Sequence, residues 1–326
     1  YEIDYWDVER QRAWLEDLPE LAQALPWNSV QRRNLGYLLA AMKGAERIIS
    51  IDDDNFVTDD DYLGFHGIVG ESATLPAVST PGGWFNSGSL LETEPEKPLY
   101  HRGFPVDRRD GDATPHYQEV SGRVVVNAGL WLETPDADAM SHVDCPVRVT
   151  GFRRGAPERL LVAHGTGTVF NSQNTCLHRD LLPVIFLPVM GERAGELVVG
   201  RYDDIWMSLF VKRLADHLGD YVCVGRPFSR QVRNDHDLLS DMLVEIPAQR
   251  MTPRILRSLD AVELEAGDYA GCYDELVAGL RRRLSADGYS SGEASFLRRM
   301  LDRMAVWAKA CRATAGAGYP TVGAAS

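Results

Sequence analysis

Apolar positions along this chain change period several times, and each change marks an element. Over residues 8–25, VERQRAWLEDLPELAQAL, the positions Trp14, Leu15, Leu18, Leu21 and Leu25 recur at helical spacing, interrupted at Pro19. In NSVQRRNLGYLLAAMKGAE, Asn28 or Ser29 can cap a helix, Leu35, Leu38, Leu39 and Met42 form its stripe, and Gly44 stops it. The apolar run Ile48-Ile49-Ser50-Ile51 follows within a few residues and reads as a buried strand. A helix handing over at once to a strand is the rhythm of an α/β sheet.

Residues 66–120 break that rhythm. GGWFNSGSLLETEPEKP and RGFPVDRRDGDATP are rich in Gly, Pro and charge and read as long functional loops. GRVVVNAGLWLETP returns to strand, and ERLLVAHGTGTVFNSQNTCLH to strand and loop. RYDDIWMSLFVKRLADHLGD predicts a helix with Asp203 or Asp204 capping its start and Gly219 closing it. Its apolar face is Ile205, Trp206, Leu209, Phe210, Leu214 and Leu218, so Trp206 belongs to the core. YVCVG is a short strand, and from about residue 252 the pattern is helical. Phe296, Leu297, Met300, Leu301, Met304, Trp307 and Cys311 make one face there, as packing in the core or between copies of the chain requires. TAGAGYPTVGAAS reads as a flexible end. The expected layout is a catalytic body over 1–250, a helical extension over 251–313 and a tail over 314–326.

Composition narrows the function classes. The chain has 326 residues, 44% of them hydrophobic, and a net charge of −13. Nucleic-acid and anionic-membrane partners are excluded on that balance, because phosphate arrays are bound by basic faces. An anionic small molecule stays open where a cation or local arginines offset the field. Cys145, Cys176, Cys223, Cys272 and Cys311 show no C-x-x-C or zinc spacing, and a reduced, cytoplasmic protein is the expectation. No apolar run approaches the ~18 residues of a membrane helix, and no signal peptide is evident. Only four of the 34 basic residues are lysine, a bias that accords with a GC-rich bacterial genome.

The candidate chemistry lies where charge gathers. The strand ending at Ile51 runs into Asp52, Asp53 and Asp54. Ligands bind outside the carboxyl ends of strands in open α/β sheets, and alternation sends Asp52 and Asp54 to one side if the backbone stays extended. Two hard oxygen ligands suit Mg²⁺ or Mn²⁺ and leave positions for substrate phosphates; a solvated acidic turn is the plainer alternative. RNDHD, with Arg233 and His236, could complete a divalent site and bind phosphate, or be a polar surface loop. Asp203 and Asp204 stand beside Arg201 and Tyr202, where one acid can cap the helix and the other act as a general base. Arg32, Arg33, Arg102, Arg108 and Arg109 offer guanidinium forks for phosphate, Arg108 and Arg109 reading more simply as surface charge. No P-loop, dinucleotide fingerprint or G-x-S-x-G motif occurs.

These segments resemble a known group. LPWNSVQRRNLGYLLAAMKGAERIISIDDDN, NSQNT and RNDHDLLSDM resemble the STELLO-type glycosyltransferases, whereas RGFPVDRR, NAGLWLETPDADA and GRYDDIWMSLFVKRLADHLG resemble the reversibly glycosylated polypeptides, the plant UDP-arabinopyranose mutases. The resemblance implies an α/β, GT-A-like (Rossmann-related) fold, a mixed, mostly parallel sheet flanked by helices with a C-terminal helical extension. It also implies a nucleotide-sugar donor and a DxD-type site for Mn²⁺ or Mg²⁺. Asp52 and Asp54 match the metal-binding acids with Asp53 between them, and Arg33 matches an arginine just before that strand. Arg102 falls where the family's self-glycosylated arginine lies, Trp131 is assigned with Arg33, Asp52, Asp53 and Arg102 to the donor pocket, and Asp203 and Asp204 match the paired acids after GRY. Gln231 stands where the mutases carry a histidine, which moves the third metal ligand to His236. The family's opening strand, with its nucleotide-base pocket, is expected before Tyr1.

The resulting expectation is a metal-dependent glycosyltransferase that moves a sugar from a nucleotide sugar, UDP-linked by preference, to an acceptor, either a small molecule or a glycan. Asp204 is favoured over Asp203 as the base, and the loops at 66–120 and 163–175 are expected to cover the donor. A nucleotide-sugar mutase is the first alternative, and a scaffold with a degenerate donor site is the second. Incubation with UDP-sugars and Mn²⁺ separates the three, as transfer, ring isomerisation or neither.

Overall fold

The structure, a computed structural model, describes residues 3–320. Pro19 separates α1 (Val8–Leu15) from α2 (Pro19–Ala24) by occupying the first turn of α2, where its missing N–H has no helical partner to lose. Ser29 caps a short 3₁₀ turn, Val30–Arg32, that feeds α3 (Arg33–Met42), and the buried Leu35, Leu38 and Leu39 pin α3 to the core ahead of β1 (Arg47–Ile51). The middle of the chain is strand-rich: β2 (Asn55–Val57), α4 (Tyr62–His66), β3 (Ser72–Ser79), β4 (Leu91–Glu94), β5 (His116–Glu133), α5 (Ala139–Asp144), β6 (Arg148–Phe152), β7 (Arg159–Val162), β8 (Asn174–His178), β9 (Glu192–Ala194) and β10 (Leu197–Val199). The chain then runs through α6 (Asp203–Leu218), β11 (Tyr221–Gln231), α7 (Leu238–Asp260), α8 (Tyr269–Arg283) and α9 (Ser291–Thr314).

Among the described residues nine strands form one mixed sheet in the order β1-β8-β5-β3-β7-β11-β2, with β4 and β6 joined to its side, and β9 and β10 form a separate hairpin. The expectation of a mostly parallel sheet is wrong. Only β5–β11 and β3–β7 run parallel, and the other pairings are antiparallel. A parallel pair needs a long crossover, usually a helix. Between residues 47 and 199 the only helices beyond single 3₁₀ turns are the short α4 and α5, whereas α6 immediately precedes β11 and supplies the crossover that sets β11 parallel to β5.

Strand β5 is the spine. Its first half, from His116 to Arg123, pairs with β3, and from Val124 onward it pairs with β11, with Val126–Ala128 also against β8. The change of neighbour lets β3, β7 and β11 close back onto β5. Its centre, Val124, Val125 and Val126, is fully buried, as a strand covered on both faces demands. The stretch read as loop over 66–120 contains β3 and β4 and the start of β5; Pro76 and the small residues of SATLPAVS hid the alternation.

Helix α6 is buried almost all round, and Gly219, in the left-handed conformation at φ +78°, ends it. Tyr202, not an aspartate, holds the cap position and makes no side-chain cap bond, so Asp203 and Asp204 lie inside the first turn. The C-terminal stripe is core: Phe296 meets Trp206 edge-on at 6.1 Å, and Trp307 packs on Phe186 at 5.8 Å while its Nε1 donates to the Leu182 carbonyl at 2.9 Å. One apolar cluster therefore runs across the 250/251 boundary. Within the expected tail, Tyr319 accepts a hydrogen bond from the Trp6 indole at 2.8 Å, and residues 321–326 lie outside the described residues. All five cysteines are free, and among the described residues no helix is long and apolar enough to cross a membrane.

Because α7–α9 share the core of the sheet, Trp307→Ala should cost about 3–5 kcal/mol, the usual range for truncating a buried tryptophan. Chemical denaturation followed by circular dichroism should give a single transition, shifted to lower denaturant, for the whole chain. Selective melting of residues 251–313 ahead of the rest would show that the extension is an independent unit.

Candidate functional site

Strand ends and turns converge on a cleft of about 500 Å³ at one end of the sheet. The 3₁₀ turn before α3 supplies Gln31, the first residue of α3 is Arg33, and the turn after β1 supplies Asp52 and Asp54. Arg102 and Asp136 come from the segments that flank β5, and Ser172 and Gln173 from the approach to β8. Arg201, Asp203 and Asp204 lie at the start of α6, and Gln231, Arg233 and His236 follow β11. The acids at 52–54 do not continue the strand. The Asn55 N–H donates to the Asp52 carbonyl at 3.1 Å, forming a tight turn that carries the chain from β1, paired to β8, to β2, paired to β11. Asp52 and Asp54 still face the cleft together, and Asp53 is exposed outside it.

The deepest group is Arg102. Its Nε donates to Asp136 Oδ1 at 2.8 Å, its Nη2 donates to Asp204 at 3.0 and 3.1 Å and to Asp136 Oδ2 at 3.2 Å, and its Nη1 donates to the Arg201 carbonyl. Asp136 also accepts from Asn171 at 2.8 Å, and Asp204 accepts from the Ser172 backbone N–H at 3.2 Å. Burial by itself would ease the proton off Arg102, but the charges of Asp136 and Asp204 outweigh it and hold the guanidinium firmly cationic. Burial likewise works against the Asp136 carboxylate, and Arg102 with His101 overcomes it, holding the group well below the ordinary range. Two backbone features make this approach feasible. Gly103, at φ +83°, lies so close to Ile205 that a Cβ would stand 2.2 Å from it, and Arg201 adopts φ +59° to turn its carbonyl toward Arg102.

Asp203 sits differently. It has no ion pair among the described residues and accepts one side-chain hydrogen bond, from the neutral Gln31 amide at 2.8 Å. Burial first, and then the negative charge of Asp204, push its carboxyl up to about 6. On the other side of the cleft Arg33 bridges Asp52 and donates to Ser172 Oγ at 2.7 Å. Burial pushes the Asp52 carboxyl upward against the pull of Arg33.

The oxygen donors for a cation are a partial set. Asp54 accepts from the Asn55 side chain at 2.8 Å and, weakly, from Gln231 at 3.4 Å, and Gln231 Oε1 is buried with no hydrogen-bond partner among the described residues. Asp52, Asp54 and that orphaned amide oxygen are hard donors suited to Mg²⁺ or Mn²⁺, whose remaining positions phosphate oxygens and water would fill. His236 lines the same cleft with its Nδ1 bonded to Asp241 at 2.9 Å, and among the described residues no three His, Cys, Asp or Glu side chains are grouped to hold a metal. Four arginines face five aspartates in the lining, so with every group ionised the cleft does not by itself offset an incoming diphosphate.

Trp131 lies outside the cleft, buried against His101 with ring centroids 4.9 Å apart. Asp136, Gln31 and Arg201 were not singled out by sequence. Asp136 had a signal, the Pro-Asp step of NAGLWLETPDADA, whereas Gln31 looked like any polar residue ahead of a helix. Of the residues between 66 and 120, Arg102 alone lines this cleft; the loops there frame a second cavity.

The family model described as reversibly glycosylated polypeptide matches residues 12–315. UDP-arabinopyranose mutase 1 of Arabidopsis thaliana is 26% identical over 283 residues, covering 85% of this chain and 71% of that protein. Probable UDP-arabinopyranose mutase 2 of Solanum tuberosum is 30% identical over 198 residues, covering 60% of this chain and 48% of that protein. UDP-arabinopyranose mutase 1 of Oryza sativa subsp. japonica is 29% identical over 198 residues, 60% of this chain and 49% of that protein. The match thus spans about half the length of several of the curated relatives. With a model matched over nearly its whole length, the chain belongs to the reversibly glycosylated polypeptide family.

Proposed function

We propose that this protein interconverts the ring forms of a nucleotide sugar, a UDP-pentose of the UDP-arabinopyranose kind, and that the cleft around Arg102 is where it does so. The observation that carries the reading is Asp203, a carboxyl buried in the cleft against the Gln31 amide and pushed up to about 6, while its neighbour Asp204 is tied to Arg102. Changing a pyranose into a furanose is proton-neutral overall: one ring hydroxyl loses a proton as it bonds to the anomeric carbon, and the former ring oxygen gains one. A single group that titrates near neutrality can take that proton and return it. The names of the matched relatives support the substrate class. Transfer to a separate acceptor shares the first half of this chemistry, and those names favour the ring reaction over it.

In this reading the anomeric C–O bond breaks with its electron pair leaving on the diphosphate, the ring is remade, and the diphosphate returns to the same carbon. Arg33 releases Asp52 and pairs with the phosphate, which its planar fork suits. Asp52, Asp54 and Gln231 would hold Mn²⁺ or Mg²⁺ against the same diphosphate. When bound, the cation would draw off negative charge as it builds on the leaving group. Asp203 takes the role of base that the sequence assigned to Asp204, because Asp204 is occupied by Arg102. Arg102 acts as a positioning residue: all three of its nitrogens are engaged and it stays cationic, whereas attack on a sugar carbon needs a guanidinium nitrogen that has lost a proton.

Asp203→Asn should lower kcat by roughly 10²–10⁴-fold with nucleoside diphosphate affinity nearly unchanged, and the wild-type rise of rate through about pH 6 should vanish from the pH profile. The sign carries over to stability. A raised carboxyl favours the native state below its unfolded value near 4 and loses that advantage as pH climbs through 6, so Asp203→Asn should be the more stable protein above pH 6, by on the order of 2–3 kcal/mol at most, with the gap closing below pH 4.

Asp54→Asn should abolish any Mn²⁺ enhancement of nucleoside diphosphate binding in calorimetry, and enhancement equal to wild type would remove Asp54 from the metal proposal. Arg102→Lys, which keeps charge but not the fork, should destabilise the protein by about 3–5 kcal/mol, as expected for breaking a buried pair. Peptide mapping after incubation with UDP-sugar should find Arg102 unmodified, and a sugar adduct there would overturn the positioning role.

A further inference from the structure

The long loops between β3 and β5 enclose a second cavity of about 480 Å³, close in size to the cleft. Its floor is aromatic. Trp84 meets Phe104 edge-on at 5.9 Å, and Tyr100 meets Phe104 at 5.2 Å. Its rim is basic: Arg108, Arg109 and Arg153 stand around it with Lys97, against only Glu96 and Asp112, in a chain whose net charge is −13. Arg109 lies over the Tyr100 ring at 4.7 Å and pairs with Asp138 at 2.5 Å, while its Nε is buried without a partner among the described residues. Arg108 and Arg153 are exposed, the first beside Asp107 at 3.7 Å and the second donating to the Ser89 carbonyl at 3.2 Å, so their guanidinium groups keep donors to spare. A local excess of arginine on an acidic protein, above a floor of flat rings, suits a ligand that combines a phosphate with a ring.

We propose that this cavity is a second ligand site, distinct from the cleft, for a phosphorylated ring compound, either a nucleoside monophosphate or a sugar 1-phosphate. The ring lies over Trp84 and Tyr100, and the phosphate is held by Arg108, Arg153 and the spare Nε of Arg109. The site adjoins the cleft through one short segment. Tyr100 and Phe104 line the cavity, and Arg102, between them in sequence, lines the cleft on its other side. Arg109 also reaches Asp138, which caps α5 by accepting from the Ser141 N–H at 2.8 Å. An occupant of the cavity therefore touches the same segment that carries the buried arginine. The inference does not depend on which reaction the cleft performs.

The test is equilibrium binding of UMP, a pentose 1-phosphate and inorganic phosphate to the full chain, read by calorimetry and by tryptophan emission. It compares wild type with Arg108→Ala/Arg153→Ala, with Trp84→Phe, and with Arg33→Ala. The expected result is a binding event for at least one of the ring phosphates that survives Arg33→Ala and weakens about tenfold or more in Arg108→Ala/Arg153→Ala. Its fluorescence change should disappear in Trp84→Phe, and inorganic phosphate should bind at least about tenfold more weakly. The ring phosphate that binds identifies the source. Both exposed arginines are away from the core, so loss of binding with an unchanged melting temperature reports the site and not the fold. A single binding class removed by Arg33→Ala overturns the proposal. So does binding indifferent to Arg108 and Arg153, equal binding of inorganic phosphate, or no binding of either ring phosphate.

Discussion

A guanidinium buried between two carboxylates organises the functional end of this molecule. Moving an unpaired arginine into the interior costs several kcal/mol, so Arg102 can occupy its position only if Asp136, Asp204 and the Arg201 carbonyl are all in place. Arg102 and its partners belong to three separate stretches: the loop ahead of β5, the turn after it and the start of α6. One charge thereby fixes the relative position of segments that are far apart in sequence. It also divides the labour between adjacent acids. Asp204 is neutralised by Arg102, and Asp203, one residue earlier on the helix, is left to respond to burial and to its neighbour's charge.

The sheet makes that convergence possible. Because β5 changes partners along its length, its far end lies beside both β8 and β11, and the turns leaving β1 and β11 arrive at the same place as the approach to β8. The parallel pairing of β5 with β11 is delivered by α6, whose first turn carries the two acids, so the crossover helix and the site are one construction. The acids at 52 and 54 enter through the turn that joins opposite ends of the sheet order, and Arg33 meets Asp52 across it. A surplus of carboxylates over arginines in the lining leaves the cleft receptive to an anion only in company with a cation or an added proton.

The chain's acidic balance conceals a divided surface. The loops between β3 and β5 gather arginine around aromatic rings, while the cleft gathers aspartate around buried arginines. Both surfaces meet on the segment from Leu99 to Phe104, where glycine at 103 allows the backbone to press against α6. Its side chains alternate between the two, Tyr100 and Phe104 on one side and Arg102 on the other.

Much of this was legible in local pattern. The helix over 203–218, its stop at Gly219, the break at Pro19, the strand into Asp52 and the core stripe of α9 follow from periodicity and from the chemistry of Gly and Pro, which act over a few residues. The grouping of Arg33, Arg102, Asp52, Asp54, Asp203 and Asp204 was also anticipated, through motif resemblance and not through spacing. Strand direction was not legible, because nothing within SATLPAVS or NTCLH says which neighbour it will meet or from which end; that depends on which connections contain a crossover helix. Nor could sequence tell Asp203 from Asp204. The two are adjacent and chemically identical, and only the packing of Arg102 against one and Gln31 against the other separates a carboxylate held in an ion pair from a carboxyl pushed upward by burial. The same holds for His236 and Trp131: each stands in a suggestive segment, but the fold turns one toward Asp241 and buries the other against His101. Sequence determined which residues could carry charge and which must be buried. Tertiary structure decided which charges face one another, because electrostatic partners are chosen by distance in space and not along the chain.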